Sequence, residues 1–265
     1  VTSISTGGSA PATGGADPGT PSPGCSSTAA PATGATIDAS LTAGGLTRTY
    51  RLSVPTDLVP GEPLPLLFGL NGVGGDGEGA QAAFRLEANH RAIFVYPDSI
   101  LDESLGSVAW DFDRDGHDFP FFDAMIDELT RTYCVDTDRI FALGVSSGAI
   151  MSNRLGCLRG DVFRAIAPAS GMSWQDSCTG DVAVLVICGA TDSFNPCETD
   201  AQGEIDLWTR ENGCGAATTP SPLSDLCIEY PGCSAGNPVL LCTHPGGHMW
   251  PPEGSELVWD FFLGL

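Results

Sequence analysis

A chain of 265 residues, 42% of them apolar, is long enough for one large or two small domains around a well-buried core. Its formal charge of −22, from 33 acidic against 11 basic residues, opposes binding to nucleic acid or an anionic membrane, because both need a cationic face that releases counterions. Every basic residue is arginine, which excludes a Walker A lysine, a Schiff-base lysine and a pyridoxal enzyme, and the longest apolar run, DVAVLVICGA, has the length of a buried strand, not of a membrane span.

Residues 1–36 hold only Val1, Ile4, Asp17 and Cys25 outside the set Gly, Pro, Ser, Thr and Ala. Such a segment buries too little apolar surface to offset its ordering entropy, so it reads as a low-complexity linker or tail. A sharper alternative makes it an assembly or attachment segment acting through Cys25. Residues 37–265 read as one catalytic domain. LTRTYRLSVP, from Leu46, alternates as an edge strand does, and LPLLFGLN is a short apolar run suited to a buried one. Further strands are expected at AIFVYPD, RIFALG, FRAIAPAS, VAVLVICG and PVLLCTH. In FPFFDAMIDELTRTY, Phe122, Met125, Ile126 and Leu129 fall at helical spacing. Strands alternating with helical stretches predict an α/β fold, a mostly parallel sheet with helices on both faces.

Two loops along this path carry functional signals. In GVGGDG, Gly72, Gly74 and Gly77 satisfy G-x-G-x-x-G, and Asp98 ends the next strand. That is nearly a dinucleotide-binding fingerprint, which keeps an oxidoreductase among the alternatives. The rival reading is an oxyanion loop, with backbone N–H groups after a strand end kept clear of side chains. In DFDRDGHD, Asp111, Asp113 and Asp115 begin as a calcium loop does, but Phe122 stands where an EF-hand needs a bidentate glutamate. A looser calcium site and a solvated acidic loop, with Asp118 capping the next helix, both stay open.

RIFALGVSSGAIM sets Gly144, Ser146 and Gly148 at the junction of a β-type run and a helix-compatible run. That is the context in which G-x-S-x-G presents a nucleophilic serine on a sharp turn, at a helix N-terminus that favours developing negative charge. An acid and a base should follow at the ends of later strands. VAVLVICGATD delivers Asp192, with Asp181 and Asp200 as competitors, and VLLCTHPGGHMWP delivers His244 and His248. The Gly-Gly turn gives His248 room to swing over the serine, whereas His244 lies at the strand end in a structural position. The Val73 and Ser147 amides are the expected oxyanion donors. Trp110, Trp174 and Trp250 are aromatic candidates for the substrate cleft.

Ten cysteines without a C-x-x-C pair, most of them in the second half, predict a disulfide-bonded protein that is secreted or extracytoplasmic, in the periplasm or at the cell surface. The local pairings expected are Cys134 with Cys157, Cys214 with Cys227 and Cys233 with Cys242.

From Leu46 to Leu265 the stretches LPLLFGLNGVGG, YCVDTDRIFALGVSSGAIMSNRLGC, VLVICGATD and GGHMWP together resemble the secreted esterases that group polyhydroxybutyrate depolymerases with feruloyl and acetylxylan esterases. The resemblance implies an α/β-hydrolase fold, Ser146 as nucleophile, Asp192 as acid, His248 as base, and an oxyanion hole built in part by the loop at Gly72 and Val73. Asn71 stands where such enzymes usually carry His, and Cys188 replaces the His that often precedes the acid. The expected function is an exported serine esterase that needs no cofactor and acts on short-chain, feruloyl, acetyl or polyhydroxyalkanoate-type esters, polymeric ones included. A catalytically silent hydrolase fold used for binding or assembly is the alternative from another class.

Overall fold

A computed structural model of the protein describes residues 19–28, 31–174, 177–234 and 236–265. In chain order the elements are strands β1 (Gly34–Ala43), β2 (Leu46–Val54) and β3 (Leu64–Leu70), helix α1 (Gly77–Phe84), strand β4 (Ile93–Pro97) and the short strands β5 (Ile100–Asp102) and β6 (Ser107–Ala109). Helix α2 (Asp118–Thr132), strand β7 (Val135–Val145), helix α3 (Ser147–Leu158), strands β8 (Ala165–Ala169) and β9 (Ala183–Gly189) and helix α4 (Gln202–Glu211) follow. The chain closes with strands β10 (Thr219–Pro220), β11 (Cys227–Tyr230) and β12 (Val239–His244) and helix α5 (Gly254–Leu263).

The strands other than β5 and β6 form one sheet in the order β1-β2-β4-β3-β7-β8-β9-β12-β11-β10. The centre, β4 to β12, is parallel, and antiparallel strands flank it on both sides. Central strands bury both faces, which is why LPLLFGL and AVLVICG read as unbroken apolar runs. Alternate residues feed different cores: Leu66, Phe68 and Leu70 face α2, α3 and α4, while Leu67, Phe94 and Leu185 face α1 and α5. Every strand expected from the apolar runs is present, and α2 covers the predicted helix.

The tail is corrected in part. Residues 1–18, 29 and 30 lie outside the described residues, but 19–28 are docked on the domain. The Ser22 amide donates to the Val135 carbonyl at 2.8 Å, and its hydroxyl donates to the Tyr133 carbonyl and accepts from the Val135 amide, both at 2.9 Å. Cys25 is bonded to Cys134, and β1 begins at Gly34. Hydrogen bonds and a covalent bridge hold this segment where apolar area cannot.

All ten cysteines pair, so the framework was foreseen and the partners were not. With Cys134 taken by Cys25, Cys157 bonds Cys178. Cys227 and Cys242 face each other across β11 and β12 and are bonded there, leaving Cys214 to Cys233. Cys188 bonds Cys197. Nearness in sequence misled at Cys227 and Cys242, where strand register sets the two residues opposite each other.

The Cys25–Cys134 bridge closes the longest loop, with a sequence separation of 109; the chain-entropy account puts its upper value at ~5 kcal/mol, and disulfides typically contribute about 2–4 kcal/mol. Replacing both cysteines by serine should therefore lower unfolding free energy by about that amount in denaturant titration. Unchanged stability would show that 19–28 dock without help from the bridge.

Candidate active site

Ser146 sits between β7 and α3 with φ 58° and ψ −121°, one of three non-glycine residues at positive φ among the described residues. Neighbouring backbone enforces this strained turn. A Cβ on Gly144 would lie 2.2 Å from the Gly148 carbonyl oxygen, and one on Gly148 would lie 2.2 Å from the Leu70 oxygen. Only glycine fits at either place. The Ser146 amide donates to the Ala169 carbonyl at 3.0 Å, and its carbonyl accepts from Ala149 and Ile150. Ser147 opens α3, so its amide is among the donors that a helix start leaves without an intrahelical partner.

The loop after β3 faces this turn. A Cβ on Gly72 would stand 3.3 Å from the Ser146 Cβ. Asn71 is buried, and its side-chain amide donates to the Gly72 and Gly75 carbonyls at 2.9 and 2.8 Å. A histidine offers no comparable pair of donors on one nitrogen; Asn71 therefore braces the turn carrying Val73.

Asp192 follows β9. Its Oδ2 accepts from His248 Nδ1 at 2.8 Å, and its Oδ1 accepts the Phe194 and Asn195 amides at 2.9 and 3.0 Å. Burial of the carboxylate works against ionisation, but the Asn195 amide, the His248 ring and the Phe194 amide outweigh it and hold the group below its ordinary value. The loop is tied to its neighbour, since Ala190 and Thr191 amides donate to the His244 and Gly246 carbonyls at 2.8 and 3.0 Å. The Cys188–Cys197 bridge closes it from below.

His248 is about a quarter exposed; with Nδ1 held by Asp192, Nε2 is the nitrogen left for proton exchange. His244 is buried and accepts the Gly246 amide at 3.1 Å, a structural position. Asp200 accepts from Asn195 at 2.9 Å, and Asp181 sits at the start of β9, away from the carboxyl ends of β7, β9 and β12 where Ser146, Asp192 and His248 gather.

Beside Val73 and Ser147 lies a cavity of about 360 Å³, walled by Trp174, Phe112 and the β5–β6 hairpin. Trp174 is 47% exposed and packs on Phe112 with ring centroids 5.8 Å apart. The other two tryptophans are placed differently. Trp110 borders the cavity but is buried, its indole donating to the Asn71 carbonyl at 2.8 Å. Trp250 is outside it, packed edge-on against Phe84 with its indole donating to Ser255.

Leu101 and Leu105 of the hairpin and Phe194 were missed. Phe194 is 79% exposed, its ring 5.3 Å from that of His248. Its place two residues after the acid was the available signal. A larger cavity of about 890 Å³ opens at the opposite end of the sheet, around Asp136, Arg139 and Arg164, and touches none of these groups.

The acidic loop folds on itself. Asp111 accepts the Asp113 and His117 amides at 3.2 and 2.9 Å, and among the described residues no three His, Cys, Asp or Glu side chains are gathered to hold a metal ion. Asp118 is not a solvated cap: it is fully buried against Arg48. Asp98, the ribose ligand of the dinucleotide reading, is occupied by the Gly77 amide at 2.7 Å and the Thr49 hydroxyl at 2.5 Å.

No protein-family model matches the chain. It is 31% identical over 239 residues to the probable feruloyl esterase C of Aspergillus niger, covering 82% of this chain and 84% of that protein. Feruloyl esterase C of Emericella nidulans matches with the same identity and coverage. Among solved structures, acetyl xylan esterase from Aspergillus awamori superposes with a TM-score of 0.65 at 16% identity, over 81% of this chain and 94% of that one. The shared fold is that of the α/β-hydrolases.

The Asp192 network makes a prediction about acid. A carboxyl held below its ordinary value stabilises the fold above pH ~4 and loses that contribution as pH falls through the native value. The stability gap between the native protein and Asp192→Asn, measured by denaturant unfolding, should therefore shrink steadily between about pH 5 and pH 2. A constant gap would show that the bonds to Asp192 do not depend on its charge.

Proposed function

The chain belongs to the feruloyl esterase family and is a carboxylic ester hydrolase, and from that premise we propose a Ser-His-Asp acyl-enzyme mechanism carried by Ser146, His248 and Asp192. The 2.8 Å bond between His248 Nδ1 and Asp192, beside a serine raised on a strained strand–helix turn, is the observation that carries this reading. His248 takes the Ser146 proton as the serine oxygen adds to the ester carbonyl, and returns it to the departing alcohol; Asp192 fixes the ring tautomer. The Val73 and Ser147 amides take the developing oxyanion. Water then repeats the sequence on the acyl-enzyme, releasing acid and free Ser146.

The acyl group enters the cavity beside Val73 and Ser147, where Trp174, Leu101 and Leu105 offer flat apolar contact suited to a feruloyl ring. The alcohol leaves past Nε2 of His248, on the side where Phe194 stands exposed. Acetyl and other short esters fit the same cavity, and polyhydroxyalkanoate chains are compatible with its open apolar rim. Five disulfides support an oxidising compartment, outside the cell or in a periplasm. The segment ahead of residue 19 reads as a spacer.

Charge narrows the substrate class. Asp102, Asp111 and Asp113 line the cavity, and among the described residues no arginine does. The Ser104 hydroxyl, with the Leu105 and Ser104 amides, holds Asp102 below the usual carboxylate range. Neutral esters suit this wall; the carboxylate product is repelled from it.

Two measurements follow. Ser146→Ala should lose on the order of 10⁶-fold in kcat on methyl ferulate or a short p-nitrophenyl ester, with its circular dichroism unchanged; turnover within tenfold of the native enzyme would remove Ser146 from the mechanism. Ferulate should inhibit at least about tenfold more weakly than the neutral feruloyl amide, a gap of about 1.4 kcal/mol. That gap should narrow as salt shortens the screening length; ferulate binding as tightly as the amide at low salt would contradict the acidic wall.

A further inference from the structure

One buried ion pair lies far from Ser146 in sequence yet holds both stems of the hairpin that walls the cavity. Arg48, on β2, and Asp118, the first residue of α2, are 2.7 Å apart, with side chains 4% and 0% exposed. The same guanidinium nitrogen of Arg48 donates to the Asp98 carbonyl at 2.8 Å, just before the hairpin leaves the sheet. Asp118 Oδ2 accepts the Asp111 amide at 2.6 Å, just after the chain returns. The Arg48 guanidinium also lies over the Phe121 ring, 4.3 Å from its centroid.

Everything between these two anchors, residues 99–110, is hairpin or hairpin stem, and it supplies about half of the cavity wall, including Leu101, Leu105 and Ala109. The hairpin reaches the oxyanion loop as well: the Gly74 amide donates to the Val108 carbonyl at 2.8 Å, and Trp110 donates to Asn71. A two-stranded ribbon of three residues a side is not stable alone. Its stance over the cavity has to be imposed from its stems.

We propose that Arg48 and Asp118 are positioning residues for acyl-group selectivity: the pair sets the hairpin against Trp174 and so fixes the width of the acyl cavity. The inference rests on the reading that this cavity receives the acyl group. An acetyl group is too small to touch the hairpin wall and a feruloyl group spans it, so the pair acts on the second far more than on the first. A pair kept only for stability would leave that preference alone, since well-packed apolar residues of similar volume replace buried ion pairs with little loss.

The test compares kcat/KM for methyl ferulate with that for p-nitrophenyl acetate in the native enzyme, in Arg48→Met/Asp118→Leu and in Asp118→Asn. In the double variant the feruloyl-to-acetyl ratio should fall at least about tenfold, mostly through KM for methyl ferulate, and in Asp118→Asn at least about threefold. A folded variant whose ratio stays within twofold of the native value overturns the proposal. Native enzyme inactive on both esters would instead overturn the esterase reading. Hydrogen exchange on the native protein decides the matter if the variants do not fold: the Asp111 amide should be protected as strongly as the amides of β2, and exchange at the rate of an open loop overturns the proposal.

Discussion

Helix α3 starts so close to the ends of β3 and β7 that two positions in its first turn and the turn before it have no room for a side chain: the Gly144 Cα faces the Gly148 carbonyl, and the Gly148 Cα faces the Leu70 carbonyl. This contact forces Ser146 into positive φ and sets the open end of a helix beside its hydroxyl. A similar close approach ties the loops carrying Asp192 and His248 together, since a Cβ on Gly189 would lie 2.3 Å from the Gly247 carbonyl oxygen. The three groups are thus carried by the ends of β7, β9 and β12, and the spacing between them is set by backbone packed on backbone.

That rigid base contrasts with the proposed acyl cavity. The cavity wall comes from an insertion between β4 and α2 and from the Trp174 loop, neither of which belongs to the main sheet. Leu101, Leu105 and Trp174 are exposed there, and the charged residues that line it are all acidic. Under the proposed mechanism, such a division assigns the chemistry to the sheet and the selectivity to the insertion. The disulfides follow the same logic, for Cys188–Cys197 closes the loop that carries Asp192 and Phe194, where few buried apolar contacts are available.

Much of the base was legible in the sequence. G-x-S-x-G between a strand and a helix, then an acid and a histidine after later buried strands, is a pattern that can be read without coordinates; Ser146 lies on the β7–α3 turn, and Asp192 and His248 follow β9 and β12 and are bonded to each other. The wall was not legible. Ile100–Asp102 and Ser107–Ala109 are too short for a periodicity to register, so nothing in the sequence singled out Leu101 or Leu105, the latter in the turn between them. Trp110, Trp174 and Trp250 were chosen by side-chain type alone, and type says nothing of whether an indole has an acceptor nearby, as Trp110 has in the Asn71 carbonyl and Trp250 in Ser255. Residues 19–28 were read by composition, which measures apolar burial and misses hydrogen bonds to β7. Arg48 and Asp118 were invisible as a pair because seventy residues and the whole hairpin separate them.

The central claim is that Ser146 attacks an ester whose carbonyl oxygen is received by the Val73 and Ser147 amides. It is tested most directly by the structure of the enzyme after reaction with an aryl-bearing fluorophosphonate. The account predicts a single phosphorus–oxygen bond to Ser146, the phosphoryl oxygen at about 2.7–3.1 Å from both amide nitrogens, and the aryl ring between Trp174 and the β5–β6 hairpin. An adduct on any other serine, or a phosphoryl oxygen turned away from both amides, would contradict it.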